Sequence, residues 1–227
     1  MSTIRSFAIE EITVALGEKS INIAEDLPSF APAIERTGIH VVHETSGTAA
    51  DLAVQAVSEM RIRRPELTNA LGALILVSQS HLMHLPSMAF EIQDRCGLPK
   101  EILAVDLNQG CSGFVQSLQL AVSLLSDRKN ILIVCADNYR SKLDKSDRST
   151  NSVFSDAATA TLVSDRAVLE IVGDCHFSDG SGRSLLFQSI DKSQNNGFLH
   201  MSGNDVWMFT KRIVYEQIMQ TLQKSGI

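Results

Sequence analysis

The residue best suited to covalent chemistry is Cys111, in the stretch DLNQGCSGF at 106–114. An apolar run precedes it and a small-residue helical pattern follows. The spacing therefore predicts a strand-to-helix turn with the thiol at its apex. A helix N-terminus offers unpaired N–H groups and a partial positive charge, which stabilise a thiolate and can receive a developing oxyanion. Gly110 and Gly113 permit a tight turn and close approach of a ligand, a geometry analogous to the serine elbow of hydrolases. A buried structural cysteine in the same turn is the competing reading, and the residues alone leave both open. Cys96, Cys135 and Cys175 fall at a helix end, in a strand and at a strand end, and read as packing thiols. The four cysteines show no C-x-x-C pair and no metal spacing, so neither a zinc site nor a disulfide frame is expected.

The elements that must hold this turn follow from periodicity. Apolar runs and alternation predict strands at 4–9, 73–77, 102–107, 131–136, 159–163, 168–172 and 185–189. Between them lie helical patterns. Thr48-Ala-Ala-Asp51 reads as a capping box ahead of Leu52, Ala56, Val57 and Met60 on one helical face. A second helix is expected over 87–95 with Pro86 at its start. After Cys111, the residues Phe114, Leu118, Val122 and Leu125 recur at helical spacing with small residues between them, which predicts a helix buried on more than one side. A last helix is expected from Asp205 to Lys224, stopped by Gly226. Alternating strands and helices imply an α/β chain with a mostly parallel sheet covered on both faces. The polar stretch RSKLDKSDRSTNS at 140–152 reads as a surface lobe or a substrate-facing loop. Two further polar stretches, 178–183 and 191–197, bracket a short strand, and the boundary between two half-domains is expected near Asp165.

The 227 residues carry 44% apolar side chains, ample for a buried core, and a formal charge of −6. No dense basic run is present, which argues against nucleic-acid binding. Glu10 and Glu11 interrupt the apolar stretch a signal peptide would need, and no run approaches the ~18 apolar residues of a membrane span, so a cytoplasmic location is expected.

Several segments in register resemble the ketoacyl synthase III group of condensing enzymes. They are ERTGI at 35–39, the helix from Thr48, LPSMAFEIQ at 85–93, DLNQGCSGF around Cys111, ILIVCADN at 131–138, SDRSTNSVFSDAATATLV at 146–163, FSDGSG at 177–182 and MSGNDVW at 201–207. The resemblance implies the thiolase-like fold, a layered αβαβα architecture. Residues 1–165 would form its first half with the nucleophile turn, and 166–227 part of its second half.

The resemblance implies that Cys111 accepts an acyl group from a coenzyme A ester. A carbanion from a decarboxylating malonyl unit on an acyl carrier protein then attacks the acyl-enzyme. No cofactor is implied; the acyl-coenzyme A enters as substrate. Arg36 and Arg148 match arginines bordering the coenzyme A nucleotide, where a guanidinium can pair with phosphate and stack on adenine. Leu85 takes the place of a phenylalanine that closes the acyl pocket of the other subunit, and Phe154 matches a residue lining that pocket. Gly203 and Asn204 match a turn beside the pantetheine arm, with Met201 on the tunnel side. Pro32 stands where many relatives carry an adenine-stacking tryptophan, and Gln109 and Gly110 replace small alanines before the cysteine, which points to an altered donor or acyl preference.

Relatives supply a histidine, an asparagine and an oxyanion-hole glycine from beyond the position matching Ile227, so the second half-domain is expected to be incomplete in this sequence. An oxyanion donor contributes ~3 kcal/mol and a general acid/base 10²–10⁴-fold, so condensation without them would be severely weakened. His40, His43, His81, His84, His176 and His200 read as surface or structural groups. A homodimer, or a companion chain carrying the histidine and asparagine, is the expected assembly, with apolar edges exposed otherwise. Two other readings stand beside condensation: a non-condensing acyltransferase of specialised metabolism, and an inactive partner of a heteromeric ketosynthase. The basic residues Arg61, Arg63 and Arg64 read as a solvated helix end or as a dock for an acidic carrier protein.

Overall fold

The structure, a computed structural model, describes residues 5–66, 70–126 and 130–226. In chain order it contains β1 (Arg5–Leu16), β2 (Lys19–Asn22), α1 (Ile23–Asp26), α2 (Ile34–Thr37), β3 (Val41–Glu44), α3 (Ala49–Arg63), β4 (Leu71–Val77), α4 (Met88–Arg95), β5 (Leu103–Leu107), α5 (Gly113–Leu124), β6 (Asn130–Asp137), α6 (Arg148–Asn151), β7 (Ala157–Ile171), β8 (Leu186–Gln188), β9 (Leu199–Met201) and α7 (Gly203–Ser225).

The central sheet has the order β1-β7-β6-β4-β5. It is mixed, not mostly parallel: β4 runs parallel to β5 and β6, while β7 is antiparallel to both β6 and β1. The parallel part is built by helical crossovers; between β6 and β7 the chain instead turns back through a compact lobe, which reverses the strand. Both faces are covered, as the alternation implies. Leu74 and Leu76 of β4 join Leu132 and Val134 of β6 under α3 and α4, with Ala53, Met60, Ala89 and Ile92. Ala73 and Ile75 point the other way, with Ile131 and Ile133, onto Ala121 and Val122 of α5.

The capping box forms as expected. Thr48 Oγ1 accepts from the Asp51 N–H at 3.1 Å, and Asp51 Oδ2 accepts from the Thr48 N–H at 2.8 Å. α4 begins at Met88 with Ser87 as its cap residue, and Gly226 closes α7 in the left-handed region.

Three further expectations need correction. The first strand, expected at 4–9, continues to Leu16, because Glu10 forms a bulge: Ile9 pairs with Val163 and Glu11 with Leu162. Its carboxylate is drawn toward Ser164, Arg64 and Arg166 and is 8% exposed, which lets two glutamates stand inside a strand. Ile4, the first residue of the expected strand, lies outside the described residues. The segments expected at 159–163 and 168–172 are one strand, β7, that passes through Asp165; its pairing with β1 shifts where Ala8 meets Ser164 and Phe7 meets Leu169. The stretch 140–152 is a lobe, with Leu143, Thr150, Asn151 and Ser152 buried beneath the exposed Ser141, Lys145, Ser146 and Arg148. Finally, α5 buries one face, through Gly113, Ser117, Ala121 and Val122, and leaves Val115 60% exposed.

The β2–β3 ribbon was not foreseen; its four-residue strands are too short to show a period. In the C-terminal region Ile190, between β8 and β9, is exposed, as are Trp207, Tyr215 and Ile218 on α7, each more than half exposed. No described helix is long and apolar enough to cross a membrane.

Candidate active site

Cys111 is exposed on the turn that joins β5 to α5. Ser112 is the cap residue of α5, so the thiol lies one residue ahead of the helix mouth. The turn is closed by the Gly113 N–H donating to the Gly110 carbonyl at 2.8 Å. Gly113 is held against the end of β4, where a Cβ would overlap Val77 Cγ1. A Cβ on Gly110 would come within 2.8 Å of Gln79 Oε1. Gly113 is therefore required by the close approach of Val77 and not by its φ, whereas at Gly110 a Cβ would displace only the flexible end of Gln79.

Beneath the turn, the C-terminal ends of β4, β5 and β6 are tied by polar side chains. Asp137 Oδ1 accepts from the Gln79 N–H at 2.8 Å and from the Ser78 hydroxyl at 3.4 Å. Gln79 Nε2 donates to Asn108 Oδ1 at 3.1 Å, and the Tyr139 hydroxyl donates to Gln79 Oε1 at 3.0 Å. Burial pushes the Asp137 carboxyl above the usual carboxylate range, against the opposing pull of the Gln79 N–H. Burial, then the charges of Asp137 and Cys111, push the Tyr139 phenol up. Lys142, whose Nζ lies 5.9 Å from the Tyr139 ring centroid, is held down by burial. Tyr139 meets Phe154 edge-to-face with ring centroids 5.2 Å apart. This links Phe154 to the cysteine end of the sheet.

A second group gathers around α6. Asp147 caps this helix, accepting from the Ser149 N–H at 2.8 Å, and Ser149 Oγ donates to the Met201 carbonyl at 3.3 Å. Arg148, Met201, Gly203 and Asn204 thus lie on joined elements, with Arg148, Gly203 and Asn204 exposed. The 3-10 turn Pro28–Ala33, which leads into α2 and Arg36, touches α6 as well. Leu85 stands apart from both groups and is 83% exposed. It flanks a cleft of about 330 Å³ lined by Thr48, Ser80, His81, Met83, Pro86 and Arg95.

His81 Nε2 is 3.5 Å from Asp106 Oδ2, and that carboxylate also accepts the N–H groups of Met88 and Ala89 at 2.8 Å each. Asp106 therefore joins two of the motifs noted in the sequence, DLNQGCSGF and LPSMAFEIQ. The basic residues 61, 63 and 64 are engaged: Arg63 pairs with Glu59 and Glu11, Arg64 with Glu66 and Glu10, and Arg61 Nη1 donates to the Cys96 carbonyl. Among the other cysteines, burial raises the Cys96 thiol and pushes Cys135 up to about 11. Cys175 lies in the irregular segment after β7, its thiol donating to Gln220 Oε1 at 3.3 Å. Among the described residues no group of three or more His, Cys, Asp or Glu side chains could hold a metal ion.

The family model for 3-oxoacyl-[acyl-carrier-protein] synthase III matches residues 105–180, from β5 through the cysteine turn and β7. A beta-ketoacyl-[acyl-carrier-protein] synthase III of Campylobacter concisus is 35% identical over 210 residues, covering 86% of this chain and 60% of the relative. The same enzyme of Campylobacter curvus is 31% identical over 213 residues, covering 86% and 62%. A crystal structure of a 3-oxoacyl-(acyl-carrier-protein) synthase III superposes with a TM-score of 0.86 at 26% identity, over 97% of this chain and 74% of that one. The chain is similar to synthase III enzymes and has their thiolase-like fold. It spans about three fifths of the length of the curated relatives it matches.

The sequence motifs pointed to Cys111, Phe154 and the residues around α6, and not to Gln79, Asp137 and Tyr139, which hydrogen bonds tie together at the strand ends. Asp137 lies inside ILIVCADN, so its segment was noted for likeness and its chemistry overlooked. An acidic residue ending an otherwise apolar strand is the signal that could have found it, because a carboxylate is rarely buried without purposeful partners.

Proposed function

We propose that the protein transfers an acyl group from a coenzyme A thioester to Cys111 and passes it on in a decarboxylative condensation with a malonyl unit borne by an acyl carrier protein. The observation that carries this reading is the setting of Cys111: an exposed thiol at the mouth of α5, on a turn held against Val77. The cysteine sulfur, as thiolate, attacks the thioester carbonyl. The tetrahedral oxyanion collapses to the acyl-enzyme and expels the coenzyme A thiolate, which takes up the proton released by Cys111. In the second half, loss of carbon dioxide from the malonyl thioester leaves a carbanion that attacks the acyl carbonyl. The new carbon–carbon bond forms as the Cys111 sulfur leaves, and the product is a 3-oxoacyl thioester on the carrier.

In this reading Arg36 and Arg148 hold the nucleotide end of coenzyme A, and the contact of α6 with the 3-10 turn that leads into the helix of Arg36 supports a shared task. Met201, Gly203 and Asn204 border the pantetheine arm, and Phe154 lines the acyl end. Leu85, standing out from the fold, reaches toward the pocket of a second subunit, in a homodimer or with a companion chain. The acyl thioester is substrate, and the reading assigns no cofactor. Free thiols suit the reducing cytoplasm in which such carriers and esters are found.

Intact-protein mass spectrometry after incubation with acetyl- and butyryl-coenzyme A tests the first half. The expected result is a mass gain equal to the acyl group, absent in Cys111→Ala. A gain that persists in Cys111→Ala, or no gain from any acyl ester, overturns the proposal. Release of carbon dioxide on adding malonyl-acyl carrier protein separates condensation from simple acyl transfer.

A further inference from the structure

Cys111 rides on a short exposed segment, residues 108–112, between β5 and α5. Its far end is held where Gly113 meets Val77, and within it the Gly113 N–H closes one turn on the Gly110 carbonyl at 2.8 Å. Among the described residues, one side-chain hydrogen bond reaches residues 108–111 from another element: Gln79 Nε2 donates to Asn108 Oδ1 at 3.1 Å. Gln79 is itself fixed on two further sides. Its amide oxygen accepts from the Tyr139 hydroxyl at 3.0 Å, and its backbone N–H donates to Asp137 Oδ1 at 2.8 Å. Gln79 follows β4, Asn108 follows β5, Asp137 ends β6 and Tyr139 comes just after it. One glutamine therefore ties three strand ends, and the near end of the cysteine segment hangs from it.

We propose that Gln79 is a positioning residue for Cys111: through Asn108 it holds the segment in the conformation that keeps the thiol at the mouth of α5. The role rests on the acyl transfer proposed above, and it needs no contact between Gln79 and the thiol or the ester. An exposed segment containing a glycine has other backbone conformations open to it. The field of a helix N-terminus falls off within its first turn, and a displacement of about 1 Å at a reacting group can cost ~10²-fold in rate. Because Tyr139 and Asp137 order Gln79 independently, its bond to Asn108 constrains the segment and not the glutamine.

The test is single-turnover acylation of Cys111 by acetyl- and butyryl-coenzyme A in the wild type, Gln79→Leu, Asn108→Leu and the double variant. Both positions are exposed, so neither leucine enters the core. The saturating rate per folded molecule is expected to fall about tenfold in each single variant and no further in the double, with the half-saturating ester concentration unchanged. A residue that only supported the fold would lower the melting temperature and leave that rate as it was. Saturating rates within about twofold of the wild type, or losses that multiply in the double variant, overturn the proposal. Gln79→Ala and Asn108→Ala are read in the same way should a leucine variant fail to fold. If neither ester acylates the wild type, the acyl-transfer reading fails, and the positioning role is judged on the same four proteins by alkylation of Cys111 with iodoacetamide. A rate lowered to the same extent in all three variants then supports it, and equal rates in all four proteins overturn it.

Discussion

Gly113 is pressed against Val77: a methyl group at position 113 would overlap Val77 Cγ1. The first residue of α5 thereby rests on the last residue of β4. The height of the Cys111 turn above the sheet is set by a side chain that glycine does not have.

Gly113→Ala is accordingly expected to destabilise the fold by about 1–3 kcal/mol through overpacking. Val77→Ala in the same chain should recover part of that loss by making room for the methyl. Urea unfolding of the four proteins of this cycle measures the coupling; strictly additive effects would contradict the contact.

The cysteines differ in reach. Cys111 is exposed, whereas Cys96 and Cys135 are raised by burial. With limiting iodoacetamide near neutral pH, peptide mapping should find Cys111 carbamidomethylated well before Cys96 or Cys135. Equal labelling of Cys135 would show that β6 is open where the sheet is closed.

Cys135 also predicts an alkaline weakness. Its folded-state value of about 11 lies above the 9.0 of a free thiol, so the folded state binds more protons between the two. The stability this contributes is full below pH 9 and is lost as pH rises toward 11, by roughly 2 kcal/mol. Denaturation midpoints measured from pH 8 to 11 should fall more steeply in the wild type than in Cys135→Ala. Parallel curves would mean that the thiol ionises in place.

Asp106 ties β5 to the start of α4 by accepting the N–H groups of Met88 and Ala89. Asp106→Ala should cost about 1–2 kcal/mol, as the loss of a helix cap does. Hydrogen exchange is expected to speed up at the amides of 88 and 89 while those inside β4 stay protected. Uniform loss of protection would mean that the carboxylate supports the whole sheet and not one helix end.

Much of this was legible in the residues. The capping box at Thr48 and Asp51, the helix after the cysteine turn and the two-faced burial of β4 follow from local patterns, because period and capping chemistry are properties of neighbours in sequence. Glu10 shows where that reasoning stops. Two adjacent glutamates read as a break, yet Ser164 and the arginines at 64 and 166 arrive from distant parts of the chain and make a bulge tolerable there. Strand direction was out of reach in the same way: whether β7 runs with β6 or against it depends on how the intervening lobe folds back, not on β7's own alternation.

The sequence by itself determined that a cysteine stands on a glycine-flanked turn between a strand and a helix, since these are local backbone requirements. Only the tertiary structure decided what surrounds it. Gln79 meets Asp137 across 58 positions and Tyr139 across 60, and a hydrogen bond at such separation is written in no local spacing. It exists because parallel strands bring their C-terminal ends to one edge of the sheet, where side chains remote in the chain become neighbours.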